Sequence, residues 1–250
     1  MSQFFDKTHG SHRPYLVGMI HVWPSPLADQ LAMAIADARA MQGFDLLLVE
    51  NYGWGYAGSN WAARYAAQVL HRIMEVLRSE TDIPLGLNVL PNDYRQGFLL
   101  ADLLQARALQ LDHVTGSFQE AESVEPSDLM SYRLRATGTM LFGGIQPKYY
   151  TPSNDESIEC AAHRAMALTD AIVVTGQKTG GATDLRDLER VRSVVGHHPI
   201  LIGSGFSAHH ARQQLAVADG AIIGTAIKER GVRPGEPVSR RLVEQLLLAV

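Results

Sequence analysis

A single cysteine, Cys160, excludes an intramolecular disulfide framework and any zinc site built from clustered thiols, and it fits a reducing compartment such as the cytoplasm. An excess of positive charge is also missing. Lys and Arg number 22 against 26 Asp and Glu, a formal charge of −4, so no global basic field is available to grip a phosphate backbone. Nucleic acid is therefore not an expected partner. No run approaches the roughly 20 apolar residues that a membrane-spanning helix needs, and the N-terminal MSQFFDKTHGSHRPYLVGMI lacks an apolar stretch with a small-residue cleavage site. The expectation is a cytoplasmic protein without a transmembrane segment, with a homo-oligomer left open. Four common catalytic signatures are absent as well: GxSxG, HExxH, GxxxxGK[ST], and GxGxxG after a strand.

What is present is apolar material in a repeating order. Hydrophobic residues make up 46% of the 250 and charged residues 19%, enough to bury a large core. Eight short Leu/Ile/Val-rich runs read as strands at 15–22, 45–51, 83–89, 109–114, 140–146, 170–175, 199–203 and 220–224. Amphipathic stretches follow them at 28–41, 61–78, 94–106, 126–135, 156–168, 185–195, 208–217 and 238–248. In the second, Val69, Leu70, Ile73, Met74 and Leu77 form one apolar face while Arg72, Glu75 and Arg78 fall elsewhere. This inventory predicts one α/β domain over 1–250, a (β/α)8 TIM barrel, with 1–14 as an N-terminal extension.

Chemistry in such a barrel gathers where strands end and helices begin. Gly203, Ser204 and Gly205 after strand seven, with Gly224 and Thr225 after strand eight, are expected to hold a phosphate on backbone N–H groups, with Ser207 capping the next helix. Thr175, Gly176, Gln177, Lys178, Thr179 and Gly180 form a polar loop able to close over a substrate. The expected catalytic group is Glu50, Asn88, Asp93, Lys148 and His21. Glu50 ends strand two, Asn88 interrupts an apolar strand, and Lys148 enters the mouth from strand five as a Schiff-base former or an ion pair. Asn92 and Asp93 also read as an ordinary helix cap, and His113 as a structural histidine. Trp54 and Tyr56 suit stacking or packing. The sequence singles out no cofactor, and a divalent cation held by Glu50 and Asp93 stays open.

Read in order, GMIHVWPSP, VENYGWGY, GLNVLPND, TGQKTG, IGSGFS and ADGAIIGTAIK resemble the BtpA/SgcQ family from about Val17 to Lys228. The resemblance implies a ribulose-phosphate-binding type of barrel. Analogy with barrels of this fold, together with the strand-end residues, gives the expectation of an enzyme of sugar-phosphate or phosphoribosyl chemistry (isomerase, lyase or glycosidic-bond cleavage), and the family resemblance implies the alternative of a non-catalytic biogenesis factor of the photosystem I type. Three segments depart from the family pattern: LDHVTGSF after strand four, GGIQPKYY at strand five and GSGFSAHH after strand seven. Gly144 stands where an acid is typical, while Lys148 is retained.

Overall fold

The computed structural model describes residues 13–53, 60–119, 123–176 and 180–250, with backbone alone at 60–64. Eight parallel strands close in chain order into a barrel. They are β1 (Tyr15–His21), β2 (Leu46–Glu50), β3 (Leu85–Asn88), β4 (Ala108–Leu111), β5 (Met140–Gly144), β6 (Ala171–Val174), β7 (Ile200–Ile202) and β8 (Gly220–Ile223). The helices between them are α1 (Leu27–Ala40), α2 (Asn60–Glu80), α3 (Tyr94–Leu103), α4 (Pro126–Arg133), α5 (Ile158–Met166), α6 (Leu185–Val195), α7 (Ala211–Gln214) and α8 (Arg240–Leu247).

The strands are apolar on both faces because each face has a core to fill. One face packs inside the barrel, where Val17, Leu48, Ala108, Phe142, Val173 and Ile222 form a closed cluster. The other meets the helices, and all five apolar residues expected on α2 are buried there. Asp184, Ser157 and Ser239 cap α6, α5 and α8 through their side chains, fixing where those helices begin.

At the end of the barrel where strands begin, one device recurs. Asp45, Asp170 and Asp219 each sit one residue before an even-numbered strand. Their carboxylates accept from the backbone N–H of Leu16, Leu141 and Ile200, at 2.7, 2.8 and 2.8 Å, and their own N–H groups donate back to the carbonyls of the same three residues. An arginine completes each clip: Arg13 on Asp45, Arg133 on Asp170 at 2.7 Å, and Arg192 on Asp219 at 2.6 Å. Arg107 occupies the equivalent place before β4, so that strand has no clip of this kind.

One element departs from expectation. The helix predicted at 208–217 is the four-residue α7, and the Ser207 side chain does not cap it. The Ser207 carbonyl takes the N–H groups of His210 and Ala211, and its hydroxyl lies 3.3 Å from His210 Nδ1. A helix this short offers little macrodipole, so the anion-attracting helix start expected after β7 is not formed.

Candidate functional site

The strand ends enclose a cavity of about 290 Å³, and the two halves of its wall differ in chemistry. His21, Glu50, Asn88 and Gln110 are register partners on β1 to β4, so their side chains stand in one row. Asp112 lies two residues beyond Gln110 and faces the same cavity. The other half, after β5 to β8, is lined by Gly144, Gly180, Gly203, Gly205 and Gly224. Carboxylates and amides therefore face, across one space, a half in which glycines alternate with Lys148, Thr175, Ser204 and Thr225.

Glu50 is held by Asn88, whose Nδ2 donates to Oε2 at 2.7 Å. Burial pushes the Glu50 carboxyl up to about 7, the nearby Asp112 charge adds to the rise, and Lys148 and Asn88 oppose it. Asp112 is also raised by burial, against the hydrogen bond from Tyr150 at 2.8 Å and the charge of Lys148. Lys148 forms no ion pair or hydrogen bond among the described residues, although its charge acts on both carboxyls. His21 is pushed down to about 3 by burial, so near neutral pH its ring is uncharged, 4.0 Å from Glu50 and edge-on to Tyr52.

Asp112 and Gln110 were not among the expected site residues. The signal for them is parity: Ala108 packs inside the barrel, so Gln110 and Asp112 share its side and His113 faces away. His113 is fully buried against Phe118 and Tyr150, and burial lowers it to about 4. Gly144 itself leaves no room for an acid. A Cβ at Gly144 would fall 1.9 Å from the Asp112 carbonyl oxygen, so no side chain fits there while the β4 end holds its place.

Asp93 departs from its expected catalytic role. Its carboxylate caps α3 by accepting from Gln96 N at 3.0 Å, and it is not among the residues lining the cavity. The cation pairing of Glu50 with Asp93 is accordingly not formed, and among the described residues no three His, Cys, Asp or Glu side chains are grouped for a metal. Asn92 brackets the His113 backbone and Asn51 brackets Leu90, each by two hydrogen bonds. Lys228 is buried on Asp37 and the Glu236 carbonyl.

On the glycine side, the loops after β6 and β7 are locked together. Ser204 Oγ accepts from Gly176 N at 2.7 Å, and Thr183 donates to the Ser204 carbonyl at 3.0 Å. The Ser204 hydroxyl still has its own proton to give. Gly205 has φ +64°, and a Cβ there would lie 2.1 Å from the Gly181 carbonyl oxygen. Thr175 and Thr225 complete this wall, with Thr175 Oγ1 donating to the Gln146 carbonyl at 3.2 Å. Lys178 and Thr179 of the expected substrate loop, and Trp54 and Tyr56, lie outside the described residues.

The BtpA family pattern matches residues 12–250, nearly the whole chain. The chain belongs to the BtpA family. An uncharacterized protein of Archaeoglobus fulgidus is 30% identical over 90% of this chain and 96% of its own. The photosystem I biogenesis protein BtpA of Synechocystis is 23% identical over 90% of this chain and 84% of its own. Among solved structures, this BtpA-family chain resembles thiamine phosphate pyrophosphorylase from Pyrococcus furiosus, with a TM-score of 0.59, 14% identity and coverage of 95% and 96% of the two chains. It also resembles N-(5'-phosphoribosyl)anthranilate isomerase from the same organism, with a TM-score of 0.55, 14% identity and coverage of 95% and 98%. At those identities the likeness is one of fold, a TIM barrel shared with enzymes. Among the described residues no helix is long and apolar enough to cross a membrane.

Proposed function

We propose that this BtpA-family barrel is an enzyme acting on a small phosphorylated metabolite, a sugar phosphate or phosphoribosyl compound. Its phosphate would rest on the backbone of Gly203, Ser204, Gly205, Gly224 and Thr225, and its reacting end on Glu50, Asn88, Asp112 and Lys148. The observation that carries this reading is that one cavity joins a wall rich in glycine to a wall with a buried carboxyl, Glu50, and a half-buried one, Asp112. Glu50, with its carboxyl at about 7, is poised to take or give a proton near neutral pH. Lys148, unpaired among the described residues, is positioned to neutralise negative charge on the reacting atoms or to form a Schiff base. Isomerisation, carbon–carbon lysis and glycosidic-bond cleavage all suit that set. Two barrels of similar fold bear the names of phosphorylated compounds, which supports the substrate class by analogy.

The test is thermal unfolding with inorganic phosphate and ribose 5-phosphate, on the wild type and Thr225→Glu, whose carboxylate would repel an anion. A ligand at about 100 times its dissociation constant adds roughly 2.7 kcal/mol, a Tm rise of about 5–10 °C. A rise in the wild type that is lost in Thr225→Glu supports the reading; no rise with either ligand removes it. The name of the Synechocystis relative favours a second reading, a non-catalytic biogenesis factor. That reading predicts that Glu50→Gln and Lys148→Met leave the biological role intact. Against it stands the buried Glu50 carboxyl, facing a cavity with the half-buried Asp112 near it, an arrangement that costs stability and that a scaffold does not need.

A further inference from the structure

The carboxyl wall carries a second pattern, in its neutral acceptors. Because Asn88 gives its Nδ2 hydrogen to Glu50, its Oδ1 is turned elsewhere, and that oxygen has no hydrogen-bond partner. Gln110 is its register partner on β4, and Gln110 Oε1 is equally unpaired. Both side chains are at least nine-tenths buried, with relative exposures of 1% and 9%, and both line the cavity. A buried carbonyl oxygen without a donor is costly. Of the four described amide side chains with such an oxygen, Gln30, Asn88, Gln110 and Gln214, only Asn88 and Gln110 line the cavity, side by side in one register row, where a ligand can supply the donors. Glu50 in the same row and Asp112, two residues beyond Gln110, add two carboxyls to this wall.

An anionic group placed against this wall would meet two carboxyls and two carbonyl oxygens. An ammonium would share the wall with Lys148. Hydroxyl groups satisfy the amide oxygens without adding charge, while Met19, Val173 and Ile222 offer apolar contact to carbon-bound hydrogens. We propose that the end of the ligand directed at β2 to β4 carries at least two hydroxyl groups, received by Asn88 Oδ1 and Gln110 Oε1, so that the substrate class is a polyhydroxylated phosphate monoester bound with its phosphate turned away. The phosphate half of that statement rests on the function proposed above; the hydroxyl half does not.

Isothermal titration separates the two halves. The probes are propyl phosphate, glycerol 3-phosphate, phosphoethanolamine, ribose 5-phosphate and phosphate-free ribose, each with the wild type and Gln110→Met. Glycerol 3-phosphate should bind about tenfold tighter than propyl phosphate, which has the same carbon skeleton without hydroxyls. Gln110→Met should narrow that ratio about threefold or more while leaving propyl phosphate binding unchanged. Equal binding of propyl phosphate and glycerol 3-phosphate overturns the inference while the phosphate reading stands, and tighter binding of phosphoethanolamine than of glycerol 3-phosphate also overturns it. Ribose that binds as well as ribose 5-phosphate, with a dependence on Gln110, keeps the hydroxyl inference and removes the phosphate reading. Binding of no probe overturns both. Should Gln110→Met fail to fold, the wild-type ratios decide alone.

Discussion

Glu50 reports on its surroundings through pH. Its carboxyl is held near 7 in the folded chain against an ordinary value of 4.5, so between those values the folded state keeps a proton that the unfolded state has lost. The stability this provides is fully present below about 4.5 and disappears as pH rises through about 7. Glu50→Gln keeps the size and the hydrogen bonding while removing the titration. Its Tm should therefore fall less than that of the wild type between about pH 5 and pH 8, and parallel curves would show that burial does not raise this carboxyl. At the same scale, Glu50 and Asn88 stand out in the sequence because each closes an apolar strand with a polar side chain, and Lys148 because it follows a strand into the mouth. Asp112 was not, because β4 is buried on both faces and hydrophobicity cannot then distinguish inside from outside. Asp93 reads both ways in the sequence because a capping aspartate and a catalytic one look alike before a helix, and in the structure its carboxylate caps α3.

At the scale of elements, the strand positions were readable to within a few residues because eight runs share one pattern, and the closed parallel order follows from alternation with helices. What could not be read was how neighbouring loops meet. The hydrogen bond of Ser204 with Gly176 and the close approach of Gly205 to Gly181 join positions 28 and 24 residues apart, and nothing local to either loop announces its partner. Gly205→Ala should test that joint. The left-handed backbone and the 2.1 Å approach to the Gly181 carbonyl leave no room for a methyl group, and a loss of about 1–3 kcal/mol is expected by chemical denaturation. If the loss comes with weaker phosphate binding, the joint also shapes the glycine wall; stability equal to wild type would mean that the two loops separate freely.

Across the whole molecule, the two ends of the barrel carry different tasks. The site gathers where strands end, and the aspartate clips gather where strands begin, so substitutions at the mouth leave the clips untouched. Each clip ties an odd strand to the even strand after it: β1 to β2, β5 to β6, and β7 to β8. Three of the four consecutive strand pairs are thus tied within themselves, while β3 and β4 carry no such clip. A circular permutant follows from this division. New termini opened between β6 and α6 leave every clip within one continuous stretch of chain, whereas termini opened within α5 place Leu141 and Asp170 at opposite ends of the polypeptide. The first cut should refold readily and the second slowly or not at all, so the seams along which this barrel can be reopened are written at the end farthest from its chemistry.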